Sequence, residues 1–420
     1  MSHLTGSIPH MRSSQPLPSS SFPELRKGQA PFGKSSSHSL RNLADLWRIL
    51  ILMLALSLHA AHGQAPHQDA ASDVDGLMRA AIAAQEHGDN QSAIENFRKV
   101  LAIRPDFVEA HAGLGAALAA AGQLDEAIAE DTTALEAAPD KTAVRLNLGA
   151  AYYKKGDYAH AREQFETVHA TVPLDLPAAV MLGYVYIKMG REAEAVDLLT
   201  PLEPGHDSNM ELEYALAFGL IQTGNVKEGV QRMEKVAKAM NRADAYVIAG
   251  AALLNRHEMT GARIDLEAAM HLDASIPGVA SMAGQACYAL DDFSSATLYF
   301  QTALRQNPRD FDANLDLGAI RFQEQKFEDA RPLLELALEL QPRLPIARLE
   351  MAKLNVSMEK NAEAAAVLED LIRAAPNWME AHWALAAAYY GLNRPDDGKR
   401  ERLIAQKLKL RQLDNAQDSK

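Results

Sequence analysis

The chain has 420 residues, 48% of them hydrophobic but only 6% aromatic, and a formal net charge of -13. A nucleic-acid role calls for a basic face, so that balance argues against one; an acidic surface reads first as solubility. The single cysteine, Cys287, excludes an intrachain disulfide and Cys-rich zinc motifs.

In chain order, residues 1–48 are a basic leader. Arg12, Arg26, Lys27, Lys34, Arg41 and Arg48 stand against Glu24 and Asp45, in a Ser/Pro/Gly-rich stretch without apolar periodicity, and disorder is expected. Residues 49–63 carry the apolar run Ile49 to Leu58 and then small residues. Basic flank, short apolar run and small residues describe a secretory signal. Ala61 and Gly63 fit its cleavage pattern, giving a chain that begins at Gln64. The first alternative is an uncleaved single-pass anchor, although spanning takes about 20 apolar residues and His59 interrupts this run. The second is a buried helix. No cysteine follows the run directly, which excludes lipid attachment of the bacterial lipoprotein kind. Residues 64–73 read as a polar linker. The signal reading makes the protein secreted or periplasmic; the anchor reading makes it membrane-associated.

From 74 to 408 one pattern recurs, clearest in Thr142 to Asp175. Leu148, Gly149 and Tyr152 share one face of a first helix; Ala161, Phe165 and Val168 share one face of a second. Gly156 breaks the chain between them, Asp157 is placed to start the second helix, and Pro173 ends the unit. Small Gly149 and Ala161 let the backbones approach, with Tyr152 and Phe165 filling the space beside them. The period is about 34 residues. On these residues the chain resembles the tetratricopeptide repeat family, whose unit has a large fourth residue, leucine at the seventh, glycine or alanine at the eighth, tyrosine at the eleventh, alanine at the twentieth, an aromatic at the twenty-fourth and proline at the thirty-second.

The phase predicts units starting near 74, 108, 142, 176, 210, 243, 277, 311, 345 and 379, and a tail over 409–420 frayed from Asp414. In the second unit Asp131 stands where an aromatic is expected. In the fourth, Pro201 and Pro204 should shorten the last helix. The fifth is one residue short, with Gly229 replacing alanine. The tenth turns polar in its second helix, as a terminal cap does. No stretch alternates in period two. The resemblance implies an all-α fold, an α-solenoid superhelix of about ten helix–turn–helix units with a concave inner face.

In that family the second, fifth, ninth, twelfth and thirteenth positions of the first helix line the concave face. Carried over residue by residue, this implies a partner-binding groove at Tyr153, Lys154, Tyr184, Ile187, Lys188, Tyr214, Phe218, Ile221, Tyr288, Phe322, Trp383 and Tyr390. Aromatic residues with flanking lysines suit an apolar peptide or a partner helix. The competing reading is that a tight superhelix buries these side chains as filling. Two specialised patterns of the family are absent: the lysine and asparagine carboxylate clamp at the fifth and ninth positions, and an asparagine ladder at the sixth, where only Asn147 stands beside Gly113 and Met181.

No catalytic, cofactor-binding or metal residues are expected. His257-Glu258 lacks the second histidine of a zinc-protease helix. Cys287, at an inward position, reads as a small buried apolar residue. The reading is therefore a non-enzymatic scaffold or adaptor that binds a protein or peptide partner in an extracytoplasmic compartment, touching a membrane only through an uncleaved N-terminal segment. The alternatives are an enzyme or an enzyme's accessory subunit in the cell envelope, and a self-assembling homo-oligomer that docks through Trp383 and Tyr390.

Overall fold

The computed structural model describes residues 68–206 and 208–418. The basic leader and the apolar segment lie outside them. The described chain divides into two compact units, 68–241 and 242–418.

The first unit holds ten helices: α1 (Gln68–Glu86), α2 (Asn90–Ile103), α3 (Val108–Ala120), α4 (Leu124–Ala137), α5 (Thr142–Lys155), α6 (Tyr158–Thr171), α7 (Leu176–Lys188), α8 (Glu192–Leu199), α9 (Met210–Gln222) and α10 (Val226–Met240). The second holds α11 (Ala243–Asn255), α12 (Met259–Leu272), α13 (Val279–Ala289), α14 (Phe293–Gln306), α15 (Phe311–Gln323), α16 (Phe327–Leu340), α17 (Pro345–Ser357), α18 (Asn361–Ala374), α19 (Met379–Gly391) and α20 (Pro395–Asp418). Every regular element of the described residues is helical, the all-α architecture that the repeat period predicts.

Within each unit a helix packs on the next one in sequence, and first helices also pack on neighbouring first helices, as α3 does on α5 and α5 on α7. This explains why the two helix types differ in composition. In α3 Ala110, Ala112 and every residue from Gly113 to Ala119 are buried, whereas α4 buries only Ala127, Asp131, Ala134 and Leu135. A first helix is enclosed on several sides; a second helix keeps a wet face and needs one apolar stripe.

Each hairpin closes through a left-handed residue. Gly156 has φ +84°, and Asp157 N–H donates to the Tyr152 carbonyl at 2.9 Å, satisfying an orphan acceptor of α5. Asp157 then caps α6 by accepting from the His160 N–H at 3.2 Å. Asp89, Asp175, Asn209, Asp292 and Asp310 do the same elsewhere. A methyl at Gly149 would lie 2.9 Å from the Phe165 ring, so the missing side chain is what lets α5 and α6 close on that ring. Phe165 is fully buried, and truncation to Ala at such a site costs about 3–5 kcal/mol.

Two departures from the sequence reading have local causes. α1 opens at Gln68, inside the stretch read as linker, because alanines with acids ahead of them favour a helical first turn. α20 runs on to Asp418, through the tail read as frayed, because beyond Gly398 it meets no glycine or proline. Pro332 lies inside α16 without ending it. As expected, α8 is cut short at Leu199, and a 3-10 turn follows over Thr200–Leu202.

Candidate functional site

The residues carried over as a groove fall into two sets, one in each unit. In the first unit they lie on α5, α7 and α9. Tyr153 is half-buried and tilts against Tyr158 with ring centroids 5.6 Å apart; burial pushes its hydroxyl well up. Beside it Lys154 donates to the Ala119 carbonyl at 3.4 Å, and burial pushes its ammonium down to about 8. One repeat later Lys188 occupies the same register, and burial lowers it too. Tyr184 donates its hydroxyl to Glu211 Oε2 at 2.6 Å and tilts against Tyr214 at 6.2 Å.

Burial narrows this set. Tyr214 is 2% exposed, and Phe218, Ile221 and Ile187 are also buried. These four fill space between helices and offer a partner almost no surface. The filling alternative thus describes them, and Tyr153, Lys154, Tyr184 and Lys188 are left half-exposed.

In the second unit Tyr288 meets Phe293 edge-on at 5.6 Å, and its hydroxyl accepts from Gln323 at 3.4 Å. Phe322 tilts against Phe327 at 5.7 Å. Lys353 lies 5.3 Å over the Phe322 ring while donating to Glu350 at 2.7 Å. Trp383 and Tyr390 are 36% and 42% exposed. Asp312, on the same helix as Phe322, is pushed up to about 7 by burial and then by Asp310.

Sequence reasoning missed two features and marked a third only by its position. The fourth residue of several units holds the carbonyl of the proline six residues before it: His111 to Pro105 at 2.8 Å, Arg145 to Pro139 at 2.9 Å, Asn314 to Pro308 at 3.1 Å and His382 to Pro376 at 2.9 Å. The spacing of proline and polar residue was the available signal. Second, a cleft of about 400 Å³ lies among α6, α7 and α8, lined by Glu166, His169, Leu182, Tyr186, Glu194 and Asp197. Two of its carboxylates are already compensated, Glu166 by Arg162 at 3.4 Å and Glu194 by Arg191, so it presents no carboxyl pair poised for acid–base work. Third, Asp131 is fully buried with neither carboxyl oxygen hydrogen-bonded. Burial, and next the Glu130 charge, hold its carboxyl well above the usual range. Oδ1 would lie 2.3 Å from a methyl at Gly115, the counterpart of the Gly149–Phe165 contact with a carboxyl in place of the ring.

His257 lies in the turn after α11 with φ +60°, and Glu258 pairs with Arg256 at 2.7 Å. Cys287 is buried, and its thiol is pushed up to about 11, chiefly by that burial.

Two family models described as tetratricopeptide repeat match the chain, one over residues 78–142, 146–200 and 281–345 and the other over 321–389, together more than half of it. No curated protein matches. Among solved structures, a tetratricopeptide repeat protein from Parabacteroides merdae is 17% identical, with a TM-score of 0.46, covering 59% of this chain and 99% of that one. The C-terminal part of a repeat protein from Cytophaga hutchinsonii is 17% identical, with a TM-score of 0.45, covering 56% and 96%. YrrB, described as having an unusual peptide-binding site, is 21% identical, with a TM-score of 0.37, covering 43% and 94%.

Proposed function

Because the chain belongs to the tetratricopeptide repeat family, a family of protein-interaction scaffolds, we propose that it is a non-enzymatic scaffold that binds a peptide segment of a partner on the α5–α7 face. The observation that carries this reading is the register of Lys154 and Lys188. They stand at equivalent positions of successive first helices, partly dehydrated, beside the half-exposed rings of Tyr153 and Tyr184. A carboxylate arriving there meets ammonium groups that water stabilises poorly, while apolar neighbours in the peptide meet ring faces.

Panning a random peptide library on the folded protein tests it. The expected harvest is peptides pairing a carboxylate with an apolar or aromatic residue, retained by wild type and lost by a Lys154→Gln/Lys188→Gln variant with unchanged circular dichroism. Equal retention by the variant removes the α5–α7 face. Lys154 loses its charge as pH rises through about 8, so binding of the selected peptides should weaken between neutral pH and pH about 9.

The extracytoplasmic setting is part of the proposal and rests on the basic flank, apolar run and small residues of the first 63 positions. The intact mass of the mature protein tests it: loss of residues 1–63 is expected, and a full-length soluble chain counts against it. A second reading, self-assembly, draws on the exposure of Trp383 and Tyr390. Sedimentation over a range of concentrations separates an associating chain from a monomeric adaptor.

A further inference from the structure

The last helix carries two exposed leucines on its outward side. α20 is 24 residues long. Its inner side is ordinary: Gly398, Ala405 and Leu408 are buried, and Glu401 turns inward to His382 at 2.6 Å. On the opposite side Leu403 and Leu410 are 51% and 61% exposed. Seven residues apart, they lie one above the other on a helix.

Exposed cations flank that line: Lys399 and Arg402 on one side, Lys407 and Arg411 on the other. Lys399 pairs with Asp396 at 3.2 Å, whereas Arg402, Lys407 and Arg411 make no ion pair among the described residues. In a chain of net charge -13, the outward side of α20 opens on the exposed Asp396, seven residues before Leu403 and paired with Lys399, and from Lys399 to Arg411 is a basic strip with leucines along its middle.

We propose that this side of α20 docks on an anionic membrane surface. Cations on both sides of an apolar line suit a bilayer interface, where phosphates lie all around and acyl chains beneath. The long Lys and Arg stems let the charges stay at headgroup level while the leucines sink deeper. A peptide groove would need carboxylates on both walls. A second α20 would set cation against cation on either side of the leucines. This contact is separate from the α5–α7 face and from the N-terminal apolar run, the one membrane contact that the sequence suggested.

Co-sedimentation of the full chain tests it, with vesicles of phosphatidylcholine plus phosphatidylglycerol against phosphatidylcholine alone. Lys407→Glu/Arg411→Glu should lower partitioning to the anionic vesicles about 30-fold or more, each basic residue near such a surface being worth about a factor of five. Leu403→Ala/Leu410→Ala should lower it about tenfold, and high salt should abolish the charge effect. All four side chains are exposed, so unchanged circular dichroism is expected. Equal partitioning of wild type and both variants overturns the proposal and leaves any binding to the N-terminal run. Loss with the charge variant alone reduces it to adsorption without leucine contact and overturns docking. Concentration-dependent association without vesicles, absent from both variants, would assign the strip to a second copy instead.

Discussion

The two units close the same hairpin with different residues. In 68–241 the left-handed position is Gly88, Gly122, Gly156, Gly190 and Gly224; in 242–418 it is His257, Asp291, Gln325, Glu359 and Asn393, with φ between 59° and 62°. The intervals are all 34 residues except the 33 between Gly224 and His257, so these are equivalent places. Glycine adopts that conformation at no steric cost, whereas an L side chain pays about 1 kcal/mol or more, asparagine and aspartate least. In the first unit the chain's own chemistry selects the turn. In the second, the helices packed on either side impose it, and Gln325 and Glu359 carry the strain.

Both units bury charge, Asp265 and Glu350 in the second among it; in the first it is gathered around Glu213. Glu213 is buried and bound by Lys235 at 2.7 Å and Arg232 at 3.1 Å; Arg232 also reaches Glu203 at 2.6 Å and Glu228 at 2.9 Å. Burial works against the charge of Arg232, and these three carboxylates more than offset it. The cluster ties α9 and α10 to the irregular end of the α8 hairpin, where proline has removed a helical turn. Asp131 has no such compensation.

The largest expected effect tests whether the cluster holds this unit together. Arg232→Ala should cost about 3 kcal/mol, because Glu213 stays buried with one partner fewer; urea unfolding followed by circular dichroism measures it. A loss below about 1 kcal/mol would make the cluster a surface ornament.

Next in size, Asp131→Leu should stabilise by about 2 kcal/mol at neutral pH, by removing an unpaired buried polar group. Burial raises the folded-state value of this carboxyl. The folded form is therefore favoured when Asp131 is protonated: that stability is present below the unfolded value near 4 and is lost as pH rises through the folded value. Wild type should lose stability relative to Asp131→Asn as pH is raised from about 4 toward neutrality. Parallel profiles for the two proteins would show that the carboxyl is solvated.

The smallest pair bears on the turns. Gln325→Gly should stabilise by about 1 kcal/mol and Gly156→Ala should destabilise by a similar amount. Two null results in thermal unfolding would erase the distinction between the units.

Much of this was legible in the residues. The four-residue spacing of Leu148 and Tyr152 on one helix, and of Ala161 and Phe165 on the next, reports helix faces directly, since side-chain direction follows the 3.6-residue turn. Gly156, Asp157 and the prolines marked ends because their effects are local. The candidate site was legible in part. The register of Lys154 and Lys188 follows from the period, but exposure depends on what a neighbouring helix covers. Tyr214 and Phe218 carry the same signature as Tyr153 and Tyr184, yet are buried.

What the sequence by itself determined is therefore the repeating unit: two helices, their facing stripes, their turn and their period, all set by interactions within a few residues. Only the tertiary structure decided that Pro332 lies inside α16 without ending it, that Gln325 and Glu359 adopt left-handed backbone, that Asp131 lies dry against Gly115, and that α20 turns Leu403 and Leu410 outward among cations. At Asp131 a contact made sixteen residues away, with Gly115, goes with a buried polar group that costs about 1–3 kcal/mol, and no reading of neighbouring residues contains that contact.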